Sequence, residues 1–419
     1  MENNAIKIAS AVFRVEAPNL YDLPWGQPAE FWKERCPHLT DLPQGVARHP
    51  VVYINCHGNL FAVKEMAAGA AQKENLLLEQ IESLHIPAVI PVGIVQLAPA
   101  ESEVSYLVTR YLEHSLPYRS LFMNPTQKPT RINLLDAMAV LLVQLHLAGV
   151  YWGDCSLSNT LFRLDSGALQ AYLVDAESAE IHQPSLPSSL RFNDLEIMEA
   201  NITGEMLDLA QAGYIPDSAT VYETGASIRQ RYHNLWEEIT FQEVVLPSET
   251  FRIQERIRKL NSLGFSVREV EFTPTEAGDK LRLKIIVADR SFHRNRLFGL
   301  TGLETEEMQA RTLTNEIHEL RATLERERGQ SVPLDAAAFH WLEHIYQPAI
   351  NRLRPLTDMR EVIQQVGQPD LVIDAVELYC QVLEHKWYLS ERAGRDVGHM
   401  AAIDDYLTKF GKDLHNTGA

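Results

Sequence analysis

Three residues in this sequence are spaced to do chemistry together. Asp154 lies just past a helical run in LHLAGVYWGDCSLSNTLF (Leu145 to Phe162), Asn159 follows five residues on, and Asp175 ends the apolar part of AYLVDAE (Ala171 to Glu177). A carboxylate held at a helix end can accept the proton of an attacking hydroxyl. An amide oxygen and a second carboxylate, brought in by a short hairpin, are hard ligands suited to Mg²⁺. That order fits transfer of a phosphoryl group, in which positioning and charge neutralisation carry most of the catalysis.

The stretch resembles the catalytic core of the protein-kinase-like superfamily. The likeness is closest to its bacterial small-molecule and lipopolysaccharide-kinase branches, which read G-(V/I)-x-H-x-D-x-x-x-x-N followed by a hydrophobic strand and an Asp. The resemblance implies an α+β, two-lobed protein-kinase-like fold, with a small β-rich N-lobe and a helical C-lobe, and ATP and Mg²⁺ as cofactors. It makes Asp154 the proton acceptor, Asn159 and Asp175 the metal ligands, and Lys64 and Asn159 its partners in catalysis. Lys64 in AVKEM matches the strand lysine of V-A-I-K, whose ammonium holds the α- and β-phosphates. Glu74 is expected to orient that ammonium, with Glu79 as the alternative. Gly45 in LPQGVARH marks a phosphate-covering loop, and Arg48 beside it adds a phosphate contact or is a solvated loop arginine. Arg110 and Tyr111 in TRYLEHS fall where the hinge between lobes offers backbone groups to adenine.

The sequence also departs from the family. One glycine stands where protein kinases carry G-x-G-x-x-G, Trp152 and Gly153 replace the His-Arg pair, and Ser156 replaces a lysine. DAE replaces DFG and no A-P-E follows. Without that arginine there is no partner for a phosphorylated activation loop. Without the A-P-E segment there is no platform for a protein substrate. A small-molecule, glycan or lipid hydroxyl is the acceptor these features favour.

Each candidate residue needs an element to hold it. A strand over Ala5 to Val15 precedes a Pro- and Gly-broken segment with a short helix at Ala29 to Glu34. Val51 to Asn55 and LFAVKEM form a hairpin across His57 to Asn59. Leu77, Ile81 and Leu84 mark one face of a helix from Ala67 to His85. Strands follow at Val92 to Gln96 and Tyr106 to Arg110. Ile132 to Ala148 is apolar nearly all round, a buried helix in which His146 reads as packing. Thr160 to Arg163 and Ala171 to Val174 pair across Asp165 to Gly167. In the helix from Arg191, Asp194 and Asn201 either anchor the loop of Asp154 from behind or are solvated. Helices at Tyr222 to Thr240 and Thr250 to Leu263 complete this part.

The character changes at Gly264. The division expected is 1–110 for the N-lobe, 111–263 for the C-lobe and 264–419 for a mixed, mainly helical accessory domain with a β-hairpin. That hairpin joins FSVREVEF to KLRLKIIVA. A long helix from Thr305 to about Arg328 follows, with Leu313, Ile317, Leu320 and Leu324 on one stripe. Further helices are expected at Asp335 to Tyr346 and Asp370 to Ala393. The ending resembles a bacterial domain of unknown function that follows lipopolysaccharide-kinase-like halves. His340 to His344 spells H-x-x-E-H, the inverted zinc-protease motif, with Glu377 or Glu384 as a third ligand; packing of Trp341, Leu342 and Ile345 explains the same helix without metal. His385, Trp387, Glu391, Arg395, Asp396 and His399 form either a phosphate- or acid-binding cluster or, the simpler account, a brace between the last two helices.

Bulk properties exclude other classes. A composition of 45% apolar and 22% charged residues is that of a globular protein with ample core. A net charge of −18 argues against nucleic acid and anionic membrane surfaces as partners. Four cysteines without a C-x-x-C pair point to a reducing compartment and no zinc knuckle. The opening segment lacks a basic-then-apolar leader, and the most apolar run, Leu134 to Val143, is too short to span a bilayer, so a cytoplasmic protein not integral to the membrane is expected. The leading function is Mg²⁺-dependent phosphoryl transfer from ATP to an unidentified hydroxyl acceptor. The alternatives are a pseudokinase scaffold whose C-terminal domain engages a protein partner, and a nucleotidyl transferase on the same fold.

Overall fold

The computed structural model describes residues 7–14, 18–42, 49–98, 104–123, 128–215, 218–240, 243–245, 267–274, 281–287, 291–354, 356 and 374–410. Gly45, Arg48 and the helix expected at 250–263 lie outside the described residues. The chain divides into two compact units: Met1–Arg163 with Gln170–Glu238, and Leu164–Leu169 with Ile239–Ala419.

The first unit opens with a six-stranded antiparallel sheet. Its strands are β1 (Lys7–Phe13), β2 (Leu39–Thr40), β3 (Val51–Cys56), β4 (Asn59–Ala67), β5 (Pro91–Ala98) and β6 (Val104–Arg110), in the order β1-β5-β6-β4-β3-β2. The period of two in β4 sends Phe61 and Val63 to one face, into a core with Ile54, Val95 and Val108. Residues 18–36 cover that face with Leu20, Trp25 and Trp32. They are pinned by the indole N–H of Trp25 on the Leu20 carbonyl (2.7 Å), that of Trp32 on the Gln27 carbonyl (2.9 Å), and the Tyr106 hydroxyl on the same Gln27 carbonyl (2.7 Å). Alternation places Lys64 on the opposite face, against which α1 (Ala68–Ser83) packs.

The rest of this unit is mainly helical: β7 (Leu116–Pro117), α2 (Tyr118–Met123), α3 (Lys128–Leu147), β8 (Val150–Tyr151), β9 (Thr160–Asp165), β10 (Ala168–Leu173), β11 (Glu180–Ile181), α4 (Ser188–Gln211) and α5 (Ser218–Thr240). The protein is thus α+β, a β-rich N-lobe followed by a helical C-lobe. Helix α3 buries Leu134, Met138, Leu141, Leu142 and Leu145, as its all-round apolar character requires. The β9–β10 hairpin turns on Ser166 (φ 53°) and Gly167 (φ 79°), the left-handed pair that a two-residue turn needs. Its far end is tied to the segment after α1: Val89 N–H donates to Leu173 O (2.9 Å) and Leu173 N–H to Pro87 O (3.0 Å).

The second unit contains a three-stranded sheet, β12 (Glu243–Val245), β14 (Leu281–Val287) and β13 (Val267–Pro274), in that spatial order. Its helices include Phe292–Thr301, Glu307–Arg328, Leu334–Trp341, Ala375–Ala393 and His399–Phe410. Leu313, Ile317, Trp341, Leu353, Leu378, Tyr379 and Ile403 form its core. Three details differ from the sequence reading. Phe292–Thr301 is a helix, ended by Gly302 in the left-handed region, in a stretch to which the sequence reading assigned no element. The long helix is capped by Glu306 and Gln309 in a reciprocal capping box, one residue after Thr305. The helix at 334–346 passes into a π-turn at Leu342–Tyr346. Among the described residues no helix is long and apolar enough to cross a membrane.

Candidate active site

Lys64 sits mid-strand in β4, paired in register with Leu107 and Val51, so its backbone is held from both sides. Its Nζ lies 3.0 Å from Glu74 Oε2 on α1 and 2.9 Å from Asp175 Oδ2 just beyond β10. Glu74, not Glu79, takes the pair; Glu79 accepts from the Asn75 amide instead. Burial pulls the Lys64 ammonium down, but the carboxylates of Glu74 and Asp175 outweigh it and raise its pKa overall. For Glu74, burial and then the neighbouring Asp175 outweigh Lys64, and its carboxyl is pushed up to about 7. One ammonium is shared between two carboxylates.

Glu74 thereby ties stability to pH. A carboxyl whose folded value exceeds its unfolded value of 4.5 favours the fold fully below pH 4.5, and that contribution is lost as pH rises through about 7. The unliganded wild type is expected to lose on the order of 3 kcal/mol relative to Glu74→Gln between pH 4.5 and 8. Urea unfolding of both proteins across that range checks it; a difference that stays flat with pH contradicts it.

Asp154 and Asn159 share the loop that leaves β8. Asn159 Nδ2 donates to both the backbone oxygen and Oδ2 of Asp154, each at 3.1 Å, while Asn201 Nδ2 on α4 donates to Asp154 Oδ1 at 3.1 Å. Each oxygen of Asp154 therefore meets an amide donor. The Asn159 carbonyl accepts Val174 N–H (3.0 Å), which binds this loop to the chain entering Asp175.

Helix α4 clamps the loop from behind. The fully buried carboxylate of Asp194 accepts Trp152 N–H on Oδ2 and Gly153 N–H on Oδ1, both at 2.8 Å. Glu205 accepts Leu157 N–H (3.0 Å) and Ser158 N–H (2.7 Å). His146 reaches Asp194 Oδ2 through Nε2 (3.1 Å) and Tyr232 through Nδ1 (2.8 Å). Burial lowers the His146 pKa, so the ring is neutral, donating from Nε2–H and accepting the Tyr232 O–H at Nδ1. His146, read from the sequence as packing, is also a hydrogen-bonded brace between Asp194 and Tyr232.

The Trp152-Gly153 pair has its own reason. Gly153 has φ 77°, and a Cβ there would stand 2.8 Å from the Ser178 carbonyl, so no side chain fits. Trp152 is fully buried and spends its indole N–H on the Asp175 carbonyl (3.1 Å), joining the two acidic segments directly.

The two remaining hinge candidates, Arg110 and Tyr111, already use their N–H groups on Ile90 O (2.8 Å) and Leu60 O (2.9 Å). Glu205 and the bridging role of Trp152 escaped the sequence reading. A signal for Glu205 existed: Asp194, Asn201 and Glu205 recur at i, i+7 and i+11, one polar stripe on a helix whose other buried positions are apolar.

In the second unit the zinc motif does not assemble. His340 and His344 pack ring to ring, centroids 4.5 Å apart, and among the described residues no group of three or more His, Cys, Asp or Glu side chains is arranged to hold a metal. The terminal polar cluster contains braces: His385 bonds Asp405 (2.6 Å) between the last two helices, and His399, Trp341 and Tyr379 converge on Glu316.

The candidate site thus combines a lysine and glutamate joined between sheet and helix, an aspartate on the same lysine, and an aspartate–asparagine loop tied to that aspartate through Trp152. Sequence comparison narrows this. Residues 57–212 match the model of the lipopolysaccharide kinase (Kdo/WaaP) family, and residues 234–410 match a domain of unknown function, DUF4032. Among solved structures, WaaP in complex with acyl carrier protein aligns at 15% identity over 61% of this chain and 99% of that chain, with a TM-score of 0.37. No curated protein matches the chain.

Proposed function

We propose that this protein is a Mg²⁺-dependent phosphotransferase that moves the γ-phosphoryl group of ATP to a hydroxyl of a glycan, lipid or other small acceptor. The observation that carries the reading is Lys64, held between Glu74 and Asp175 beside the Asp154–Asn159–Asn201 cluster. The family match over residues 57–212 supports a sugar hydroxyl as the acceptor.

In this reading Lys64, oriented by Glu74, holds the α- and β-phosphates. Asp154 aligns the acceptor hydroxyl and takes its proton as the oxygen attacks phosphorus. The bond from phosphorus to the bridging oxygen breaks, and ADP leaves with the electron pair. The donor set fits Mg²⁺: Asp175 offers a carboxylate, and Asn159, its Nδ2 committed to Asp154, offers its amide oxygen. Few protein ligands suffice, because Mg²⁺ completes its shell with water and substrate phosphates. When bound, the ion neutralises charge on the phosphates. Lys64, now paired to Asp175, is the protein's own cation at that carboxylate and must share it with the incoming metal.

Thermal unfolding with ATP, with and without Mg²⁺, tests this. Saturating nucleotide at about 100 times Kd should add roughly 2.7 kcal/mol, a rise of several degrees, only when Mg²⁺ is present. Asp175→Ala should abolish the Mg²⁺-dependent part. A folded wild-type protein that responds to no nucleotide overturns the proposal.

A further inference from the structure

The hairpin that joins Asn159 to Asp175 is not wholly part of the first unit. Its tip, Leu164–Leu169, belongs to the second. Within that unit the Asp165 carboxylate accepts Met308 N–H (3.0 Å) and Gln309 N–H (2.8 Å) in the first turn of the helix Glu307–Arg328. The Glu377 carboxylate accepts Ser166 N–H and Gly167 N–H, the latter at 2.8 Å, and also meets Gln309 Nε2 (3.2 Å). Ser166 Oγ lies 2.9 Å from Thr312 Oγ1, and Leu164 packs on the second unit's core.

This is far more than a turn requires. A tight turn needs two residues of left-handed backbone, which solvent can hydrate. Here two carboxyl side chains, each 1% exposed, are buried and spent mainly on holding the turn and one helix end, with Gln309 and Gln381 amides completing the shell of Glu377. Burying carboxylates is costly unless every oxygen is satisfied, so an arrangement of this kind specifies geometry more than it adds stability. The strands between tip and site are six residues each, about 20 Å of paired backbone. At the far end Val174 N–H bonds Asn159 O, so the orientation of the hairpin sets Asn159 and the approach to Asp175 together.

We infer that Asp165 and Glu377 are positioning residues for the phosphotransfer site: by gripping the hairpin tip, the C-terminal unit sets the placement of Asn159 and Asp175 and hence the affinity for Mg²⁺. The inference rests on the phosphotransferase reading for its chemistry, while the grip itself does not. It assigns the second unit a task within the reaction.

The test uses the full chain and four variants: Asp165→Asn, Glu377→Gln, Thr312→Val and, as a control, Ile403→Ala. The control weakens the second unit from its core without touching the tip. Two quantities are measured, the Mg²⁺ concentration that half-saturates the ATP-dependent thermal shift and the hydrogen-exchange rate of the Val174 amide. Asp165→Asn and Glu377→Gln should need roughly tenfold more Mg²⁺, the usual scale for losing support behind a metal ligand. They should also speed exchange at Val174 while leaving the ATP-dependent thermal shift at saturating Mg²⁺ unchanged. Thr312→Val, which removes only the Ser166 hydroxyl contact, should shift both readouts the same way by a smaller factor, and decides the matter where the carboxylate variants do not fold. Ile403→Ala should match wild type in both. Wild-type values in the folded tip variants, or an equal shift in Ile403→Ala, overturn the inference. A wild type with no Mg²⁺-dependent response to ATP removes the phosphotransferase reading instead, and Val174 exchange still decides whether the tip is gripped.

Discussion

In the proposed reaction, Asp154→Asn is expected to lower Mg²⁺-ATP turnover, with water as the default acceptor, by roughly 10²- to 10⁴-fold, the range expected for loss of a positioned proton acceptor. Nucleotide binding should stay near wild type, since Lys64, Glu74 and Asp175 are untouched. The replacement is nearly the same size, so the effect is chemical. Both oxygens of Asp154 accept from amide donors, Asn159 Nδ2 on one and Asn201 Nδ2 on the other. An asparagine can satisfy only one of them, because its own NH₂ must face the second donor. In the proposed reaction the variant therefore loses the proton acceptor and disturbs the alignment of that side chain together. ADP release and thermal shift measured on the same sample separate the outcomes. Turnover at the wild-type rate removes Asp154 from the chemistry, and loss of the nucleotide response assigns it to binding instead.

Asp194→Ala is expected to damage both the scaffold and the loop that carries Asp154. The side chain is fully buried and accepts from Trp152 N–H, Gly153 N–H and His146 Nε2–H. Truncation leaves those donors buried without an acceptor, at about 1–3 kcal/mol each, for a loss on the order of 4 kcal/mol. The loop it holds carries Asp154, so turnover should fall with stability. Asp194→Asn, which keeps one acceptor oxygen, should fall between Ala and wild type in both. Urea midpoints for the three proteins, with turnover measured well below the transition, test the order. An Asp194→Ala protein within about 0.5 kcal/mol of wild type, the range of ordinary surface changes, would show that the clamp does not bear on the loop.

Much of the frame was legible because it is local. Lys64 sits in an alternating strand, the Leu77 and Ile81 spacing marks α1, and an unbroken apolar run marks α3; each is a property of adjacent residues. The order Lys64, Asp154, Asn159, Asp175 needed only the chain itself. Local signals were weaker where backbone geometry depended on neighbours, as at the start of the long helix, read at Thr305 but capped by Glu306 with Gln309.

What the linear order could not decide was which acids are buried. Asp194 and a solvated helical aspartate are the same residue in the same kind of helix; only packing of α4 behind the loop makes one a clamp, by removing water as the competing partner for the Trp152 and Gly153 amides. Glu74 and Glu79 lie on one helix, yet only Glu74 meets the strand lysine. Likewise Asp165, Ser166 and Gly167 read only as a turn, while Glu377, more than two hundred residues later, closes on two of their amides. The sequence by itself determined the elements and the chemical inventory, because periodicity and residue type act over a few residues. The tertiary structure decided the partners of each carboxylate, because a buried charge is defined by groups that approach from distant parts of the chain.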